Sequence, residues 1–538
     1  MTNALDFDTV LMNGYQAMPG FLMVFGYKDP SLAAGYGIDT QFQQLITSLL
    51  NVGLIVSALS IGMLSRYFGR RPLYWFGSAL SIAGLLLQIL CTVKGAVYAG
   101  RLLLGLGNGL FVNSTILYIA ETSPAHLRGI LIAMYQFTQN LGGLMGAIVN
   151  NYCAKMTSRL AYQIPSSILL IIPVFLLLFA FWIPESPRWL CQQGRSEEAL
   201  RCLERLRAGT LSNEHLHEEL LEIKEAIEIE KELTSGITIR DLVRGSDLRR
   251  TLLTIGAATS HQGSGIYFLV AYGTYFLQVS NIPNPFEYSI GIQVMSVVGS
   301  ILGMFLQRYL GRRPIFISGN ACVTVTLFTV AIIWTAAGNV HTIQQGKAIV
   351  AMIMLMNFAY SYSVGPTGWL VAGELPSNRL RSMTFGIAMA VGFFCAWLTS
   401  FTTPYFFNPQ HLGWGPKIGW IWGPVSLILL IWAVFFLPET KGRTLEECIV
   451  LFMMIELINS GRDVCAKVAG LEVQRVPVCG NRERSRNSGK APRQRIRPFK
   501  GRNTSCRTFG SLGNSVNLEP GVNVCIMYRE IAGIKRFI

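Results

Sequence analysis

An all-α membrane fold built from two similar halves is predicted by three features of this 538-residue chain. Its composition is 51% apolar and 14% charged, with a mean hydropathy of +0.40, the balance of a membrane protein. Apolar runs recur along it, each near the roughly 20 residues that cross a bilayer's hydrocarbon core. Charged motifs between those runs also repeat once. Arg66-Tyr67-Phe68-Gly69-Arg70-Arg71-Pro72 returns as Arg308-Tyr309-Leu310-Gly311-Arg312-Arg313-Pro314, an offset of 242. Glu121 and Arg128 return as Glu374 and Arg381 at an offset of 253, and Pro184-Glu185 returns as Pro438-Glu439 at 254. Three pairs in one order at nearly one offset mark two homologous bundles of membrane helices. Many secondary transporters use such parallel repeats to enclose a site near the bilayer midplane.

The elements follow in order. A weak first run, 7–25, carries Asp8, Asn13 and Pro19. Clear runs at 43–64, 73–93, 97–119, 130–152 and 164–183 complete a six-helix half over 1–184. Residues 185–249 are expected to form a cytosolic helical linker, since 185–250 holds 14 acidic and 11 basic residues. Ser196 is expected to cap a helix with Leu200, Leu203 and Leu206 on one face. A second helix is expected over 213–233, with Leu216, Leu220, Ile223, Ile227 and Leu233 inward. The second half, 250–447, holds runs at 251–278, 288–307, 314–337, 348–373, 384–407 and 418–437. The total is about twelve spans, eleven at minimum if the weak and truncated first run is left out. Residues 448–538 lose the apolar period, and disorder is expected from about 475.

Charge sets orientation. Arg66, Arg70, Arg71, Arg128, Arg308, Arg312, Arg313, Arg379 and Arg381 fall in loops an even number of crossings apart. Those loops, and both termini, are therefore expected in the cytosol. The net charge of +15 is mostly a property of the tail, where 461–538 holds 16 Lys and Arg against 5 Asp and Glu. No recognition module accompanies it, so nucleic-acid binding is not expected. The tail either touches anionic lipid headgroups or is simply solvated. The eleven cysteines fall mostly in apolar spans or cytosolic segments, where thiols stay reduced. No Cys/His spacing suggests a metal. The N-terminus lacks the pattern of a cleavable signal.

Charged residues inside spans are candidates for function, because burying them is costly. Asp8, Arg101 and Glu121 stand out. An Asp beside an Arg can act as a proton switch, ionised when paired and protonated when desolvated alone. Arg101 could instead snorkel to an interface, and Asp8 could be solvated near a frayed terminus. Gly105, Gly107 and Gly109 follow no strand and lie inside a span, so close helix packing accounts for them better than a nucleotide loop. Polar and aromatic residues suited to a sugar are Gln136, Gln139 and Asn140 on one helix and His261, Gln262 and Tyr267 on another. Trp369 follows Gly365-Pro366, which should break its helix near mid-membrane and free backbone groups. Each polar residue alone is equally explained by helix–helix hydrogen bonding.

With these motifs in view, the chain resembles the sugar porter family of the major facilitator superfamily over roughly residues 7–447. The likeness rests on Gly69-Arg70-Arg71, Gly100-Arg101, Tyr118-Ile119-Ala120-Glu121, Arg128-Gly129, Pro184-Glu185-Ser186-Pro187-Arg188-Trp189-Leu190, Gly311-Arg312-Arg313 and Pro438-Glu439-Thr440-Lys441-Gly442-Arg443-Thr444-Leu445. Tyr272-Gly273-Thr274-Tyr275-Phe276 looks like the fungal branch of maltose and other α-glucoside permeases. The resemblance implies a proton-coupled plasma-membrane symporter, probed by neither metal nor organic cofactor and driven by the proton gradient. It implies a monomer in the lipid bilayer with a small sugar as substrate. It makes Asp8 the proton-titrating residue and Arg101 its partner. Gln136, Gln262 and Trp369 match sugar contacts, with His261 and Tyr267 at neighbouring positions. Glu121, Arg128, Glu374 and Arg381, with Arg70, Arg71, Arg312 and Arg313 of the repeated loops, match a cytosolic charge network that shuts the inner gate. The chain departs from the family at Asp6 (usually Gly), Arg66 (usually Asp), His261 (usually Gln), Tyr267 (usually Asn) and Gly392-Phe393. Set against the family pattern, the first helix is expected to be short by its first half, and 448–538 resembles no family tail. Two other functions remain open: a non-transporting sugar sensor, and a transporter of a non-sugar metabolite. No enzymatic chemistry is expected.

Overall fold

The computed structural model describes residues 3–29, 35–123, 125–207, 213–234, 241–242, 245–280, 282–336, 342–376, 380–408 and 411–440. The expected basic tail, and the Lys441 to Leu445 part of the last motif, lie outside the described residues.

The first crossing is broken. Helix α1 (Asn3–Tyr15) ends before a turn, and α2 (Pro19–Phe25) restarts with Pro19 at its first position. Proline suits that position because it has no N–H to satisfy and its φ is preset. A two-stranded antiparallel hairpin, β1 (Tyr27–Lys28) and β2 (Tyr36–Gly37), follows. Helix α3 (Thr40–Phe68) begins at Asp39, whose carboxylate accepts from the Phe42 N–H, and ends at Gly69 with φ +88°. The half is completed by α4 (Arg71–Leu90), α5 (Lys94–Thr122), α6 (Ala125–Cys153) and α7 (Leu160–Phe179). The last of these starts and stops about a turn earlier than the run read from sequence.

The linker folds as α8 (Pro187–Gln192), α9 (Ser196–Leu206) and α10 (Asn213–Thr234). Its small core joins Trp189 and Leu190 to Ala199, Leu203, Leu216 and Leu220. Ser196 does not cap: it is the first residue of α9, and the cap position holds Arg195 with no side-chain bond. The side-chain cap is one motif earlier, where Ser186 accepts from the Trp189 N–H. Burial pushes the Cys191 and Cys202 thiols up, which keeps both neutral.

In the second half, the run read as one span at 251–278 is two helices, α11 (Gly245–Gly263) and α12 (Ile266–Val279). Between them Gly265 has φ +85°, and a Cβ there would strike Trp422, so both backbone and packing require glycine. Helices α13 (Pro285–Tyr309) and α14 (Arg312–Ala336) precede another broken crossing, α15 (Ile343–Tyr362) and α16 (Val364–Glu374). This break sits at Ser363, immediately before Gly365-Pro366, so the expected interruption is present. Helix α17 (Arg381–Phe407), a 3-10 turn (Gly415–Ile418) and α18 (Gly419–Phe436) close the fold.

Nine helical segments among the described residues are long and apolar enough to cross a membrane. The crossings α1–α2, α6 and α11–α12 bring the path to twelve. Polarity is arranged as a bilayer demands. Large apolar side chains such as Met63, Ile171 and Phe435 are exposed, while Arg101 is 1% exposed and Asp8 3%.

Candidate functional site

Arg101 on α5 and Asp8 on α1 meet in the centre of the first half. Arg101 Nη1 donates to both Asp8 carboxylate oxygens at 2.8 Å, and Nε donates to the Ile46 carbonyl on α3 at 2.7 Å. Neither residue behaves as the alternatives supposed: Arg101 does not snorkel and Asp8 is not solvated. Beside the pair lies a cavity of about 10 Å³ lined by Thr9, Thr47, Arg101, Tyr267 and Ser400. That is about the smallest space that holds one water.

Toward the other half a set of polar and aromatic side chains converges. On α6, Gln136 donates to Asn140 at 3.4 Å, and Asn140 donates to the Ser296 carbonyl on α13 at 3.2 Å. Gln136 is 6% exposed, and its Oε1 has no protein partner. His261 and Gln262 sit at the end of α11, both buried. The His261 ring lies 4.5 Å from the Trp369 ring, centroid to centroid, and against the Tyr360 hydroxyl. The broken crossing packs against this site, since Tyr360 before the break and Trp369 after it both lie against His261. Gly368 permits the approach, since a Cβ there would press on His261 at 3.1 Å. Tyr267 on α12 donates to Asn51 on α3 at 2.9 Å, so its hydroxyl proton is spent on the protein. The structure thus brings Gln136, His261 and Trp369 together. Tyr267 lines the small cavity beside Arg101. Sequence reasoning missed Tyr360 and Asn51; each looks like an ordinary polar residue in an apolar run.

The repeated loops build the same device twice. In the first half, Arg70 Nη2 pairs with Glu121 Oε1 at 2.5 Å, and Ser186 Oγ donates to Glu121 Oε2 at 2.6 Å. Glu185 accepts from the backbone N–H groups of Arg70 (2.9 Å) and Arg71 (3.1 Å), which open α4. Arg71 donates to the carbonyls of Ala180 (2.8 Å) and Phe181 (2.7 Å), just past α7, and lies over the Trp75 ring. In the second half Arg312 pairs with Glu374 at 3.4 Å, and Thr440 donates to Glu374 at 2.6 Å. Glu439 accepts from the N–H groups of Arg312 and Arg313, and Arg313 donates to the Val434 carbonyl. Each Pro-Glu motif therefore places a carboxylate on a helix N-terminus, where unsatisfied N–H groups and the helix dipole favour it. The pairs just described stay within their own half. Arg128 and Arg381 begin helices, but their side chains lie outside the described residues. Glu185→Gln should lower stability by about 1–2 kcal/mol, by weakening charge-assisted bonds at the start of α4. Thermal unfolding of the purified protein would reveal it, and an unchanged midpoint would contradict the capping role.

At the face opposite the basic loops, side-chain hydrogen bonds join the halves in a belt. Asn408 donates to Gln43 (2.8 Å) and Thr40 (3.0 Å), Asn51 to Ser400 (2.8 Å), and Gln44 to the Phe401 carbonyl (2.8 Å). Asn13 accepts from the Thr274 N–H at 2.8 Å, and Tyr272 bonds Thr47 and the Ser400 carbonyl. Such a belt closes the site on that side. Its signal in the sequence was the polar stripe Gln43, Gln44, Thr47 and Asn51 at the start of an otherwise apolar helix.

Comparison with known proteins agrees with this architecture. The profile of the family described as "Sugar (and other) transporter" matches residues 4–452. The chain is 29% identical to the major facilitator-type transporter ecdD of Aspergillus rugulosus, over 85% of this chain and 86% of that protein. It is 28% identical to the probable glucose transporter rco-3 of Neurospora crassa, over 82% of this chain and 76% of that one. It is 29% identical to the high glucose sensor RGT2 of Saccharomyces cerevisiae, over 83% of this chain and 58% of that protein. Among solved structures, the xylose transporter XylE from E. coli superposes with a TM-score of 0.65 at 21% identity, over 82% of this chain and 98% of that one. That likeness establishes the fold: a major facilitator arrangement of two six-helix halves.

Proposed function

The chain belongs to the sugar (and other) transporter family, and on that premise we propose that it carries a sugar into the cell together with protons, by alternating access. Membership makes it a multi-pass membrane transporter rather than an enzyme. The observation that supports the finer reading is the buried Asp8–Arg101 pair, which shares a small cavity with Tyr267, in a fold that also holds the polar and aromatic cluster of His261, Tyr360 and Trp369. Glucose or an α-glucoside suits that cluster, because a pyranose presents hydroxyls to amides and a C–H face to an indole.

In this reading the basic loops and both termini face the cytosol, in the plasma membrane. The belt of Asn13, Gln43, Asn51, Tyr272 and Asn408 is then the closed extracellular gate. When that gate opens, water reaches Asp8. Protonation removes the charge that holds Arg101, and Arg101 remains on the Ile46 carbonyl. Loss of the pair loosens α1 from α5, so sugar binding and closure follow the proton. On the cytosolic side, Arg70–Glu121 and Arg312–Glu374 fix the loop ends whose approach shuts the inner gate. No organic cofactor enters the cycle, and one chain holds the whole site.

The test is uptake of labelled glucose and maltose, with and without a proton uncoupler. It would use yeast lacking its own sugar carriers and a tagged protein confirmed at the surface. Uncoupler-sensitive uptake is expected. Uptake that ignores the uncoupler would sink proton coupling and leave a facilitator. The 29% identity to a high glucose sensor favours one second reading, a receptor that signals without flux. Surface protein with glucose-dependent signalling and no uptake would establish that instead. A protein that carries another metabolite and ignores sugars would overturn both.

A further inference from the structure

A cavity of about 480 Å³ opens where the first half meets the linker, apart from the candidate sugar site. One wall is made by the ends of the spans: Phe68 at the close of α3, Arg71 and Trp75 in the first turns of α4, and Phe181 just past α7. The other wall is α9, which contributes Glu198, Arg201 and Arg205, with Arg195 at its cap position. The proposed cycle uses none of these α9 side chains.

The two walls differ in chemistry. Phe68 is 49% exposed and Phe181 61%, and their neighbours Phe76 and Trp182 are exposed as well, so apolar surface continues outward from the cavity. Aromatic side chains at the end of a span sit at the level of lipid headgroups. The wider lining holds four arginines against two glutamates, and both glutamates are engaged. Glu185 accepts from the backbone N–H groups of Arg70, Arg71 and Ser186. Glu198 accepts from Arg195 at 2.9 and 2.6 Å. Arg71 gives Nε and Nη2 to the carbonyls of Ala180 and Phe181 and lies 5.1 Å from the centroid of the Trp75 ring. Its Nη1 makes no hydrogen bond among the described residues. Trp75, on the same wall, has a buried indole N–H with no protein partner. Arg201 and Arg205 make no hydrogen bond or ion pair among the described residues.

A charged face on a linker helix has an ordinary explanation, which is contact with water. Glu197 and Glu204 also lie on α9, yet neither lines the cavity. Arg201 and Arg205 are four residues apart on one helix face, where like charges repel. Water alone does not account for unpaired guanidinium groups that line a cavity whose opposite wall is aromatic. An occupant that satisfies both walls carries negative charge joined to apolar mass. Guanidinium groups match the oxygens of a phosphate two at a time.

We propose that this cavity binds the headgroup of an anionic phospholipid. Arg201, Arg205 and the free Nη1 of Arg71 hold the phosphate, and Phe68, Trp75 and Phe181 meet the glycerol and the start of the acyl chains. The lipid comes from the leaflet on the side of the basic loops, which is cytosolic in the proposed orientation and carries the anionic lipids. Bound there, it ties α9 to the ends of α4 and α7 and so pins the linker to the helix bundle. Phosphatidylcholine is disfavoured, because its ammonium group would face the unpaired arginines.

The experiment is native mass spectrometry of the purified full chain in detergent, titrated with phosphatidylinositol, phosphatidylserine or phosphatidylcholine of matched acyl chains. The variants are Arg201→Gln/Arg205→Gln and, as a control that removes two positive charges outside the cavity lining, Arg66→Gln/Lys224→Gln. In the parent, an anionic lipid is expected to bind about tenfold or more tightly than phosphatidylcholine. Arg201→Gln/Arg205→Gln should erase most of that preference, and the control should keep it within about twofold. Phosphatidylinositol should also raise the melting midpoint of the parent and not that of Arg201→Gln/Arg205→Gln. Equal binding of phosphatidylcholine by the parent would leave only an apolar groove and overturn the proposal. Equal losses in both variants would reduce the preference to diffuse charge and overturn it too. Glycerophosphoinositol, which has the headgroup without acyl chains, should bind far more weakly than the lipid. If it binds as tightly, the site takes a soluble phosphate ester and the lipid assignment falls. The measurement needs neither sugar transport nor a known orientation, so its outcome is separate from that of the proposed cycle.

Discussion

Asp8→Asn is expected to reduce uncoupler-sensitive sugar accumulation to background while exchange of labelled for unlabelled sugar continues. The reasoning starts from geometry. Asp8 meets Arg101 through two contacts of 2.8 Å in a place that holds almost no water. Asparagine has the same shape and still offers one oxygen to Arg101, so α1 and α5 remain joined. It cannot bind and release a proton, so the proposed cycle would lose the step that ties the gradient to the conformational change. Exchange needs only the sugar-loaded protein to reorient, and it survives. Counterflow and accumulation measured in the same proteoliposomes separate the two. Undiminished accumulation against a gradient would end the proton role of Asp8.

The partner is not equivalent. Arg101→Met leaves the Asp8 carboxylate buried with no cation, and breaking a buried pair from one side costs about 3–5 kcal/mol. The double variant Asp8→Asn/Arg101→Met removes both charges and should recover most of that loss. The coupling between the two sites should be correspondingly large in a double-mutant cycle. Equal destabilisation by the single and double variants would mean that Arg101 matters for its bond to Ile46 rather than for its charge.

The helices were legible in the sequence because bilayer length imposes a strong period, and the two halves because their basic loops repeat. The same pattern hid the breaks. Residues 251–278 form one apolar run, yet Ser264-Gly265 interrupts it, since hydropathy averages over a turn that one glycine with positive φ creates. At Gly365-Pro366 the break was readable because proline announces it. In the site, Asp8 and Arg101 could be picked out by the cost of burying charge, and they do meet. Tyr360 and Asn51 could not, because a hydroxyl or amide inside a span serves packing and recognition equally well until its partner is known. The Pro-Glu motifs were legible as repeats but not as caps. Glu185 reaches Arg70 across 115 positions of sequence, and no local pattern encodes that distance. Arg66, where an acid was expected, offers its backbone: its carbonyl accepts from the Trp189 indole at 3.1 Å and ties the loop to the linker.

Gly105→Leu is expected to prevent accumulation of folded protein, with a stability loss of about 3 kcal/mol or more. Gly105 lies on α5 one turn beyond Arg101, and a Cβ there would run into the backbone of Leu50 on α3. Gly53, one turn further along α3, meets the backbone of Gly105 in the same way. Backbone cannot rotate aside as a side chain can, so the two helices would have to part. Leu50 is itself one turn from Ile46, whose carbonyl receives the Arg101 guanidinium at 2.7 Å. The glycine seam and the seat of Arg101 are therefore one contact between α3 and α5. Small residues are how membrane helices approach this closely. Gly105→Ala puts the same Cβ against the Leu50 backbone, so it too must part the helices, but it lacks the branched side chain that would have to be fitted as well. It is expected to fold, yet to lose accumulation more than exchange, because it shifts Arg101 away from Asp8. Gly62→Ala, on the same α3 but with open space where its Cβ would lie, should be neutral or slightly stabilising. Surface expression and unfolding temperature of the three variants give the test. If Gly105→Leu is tolerated as well as Gly62→Ala, the seam does not hold α3 to α5, and the placement of Arg101 must be set by the pair with Asp8 alone.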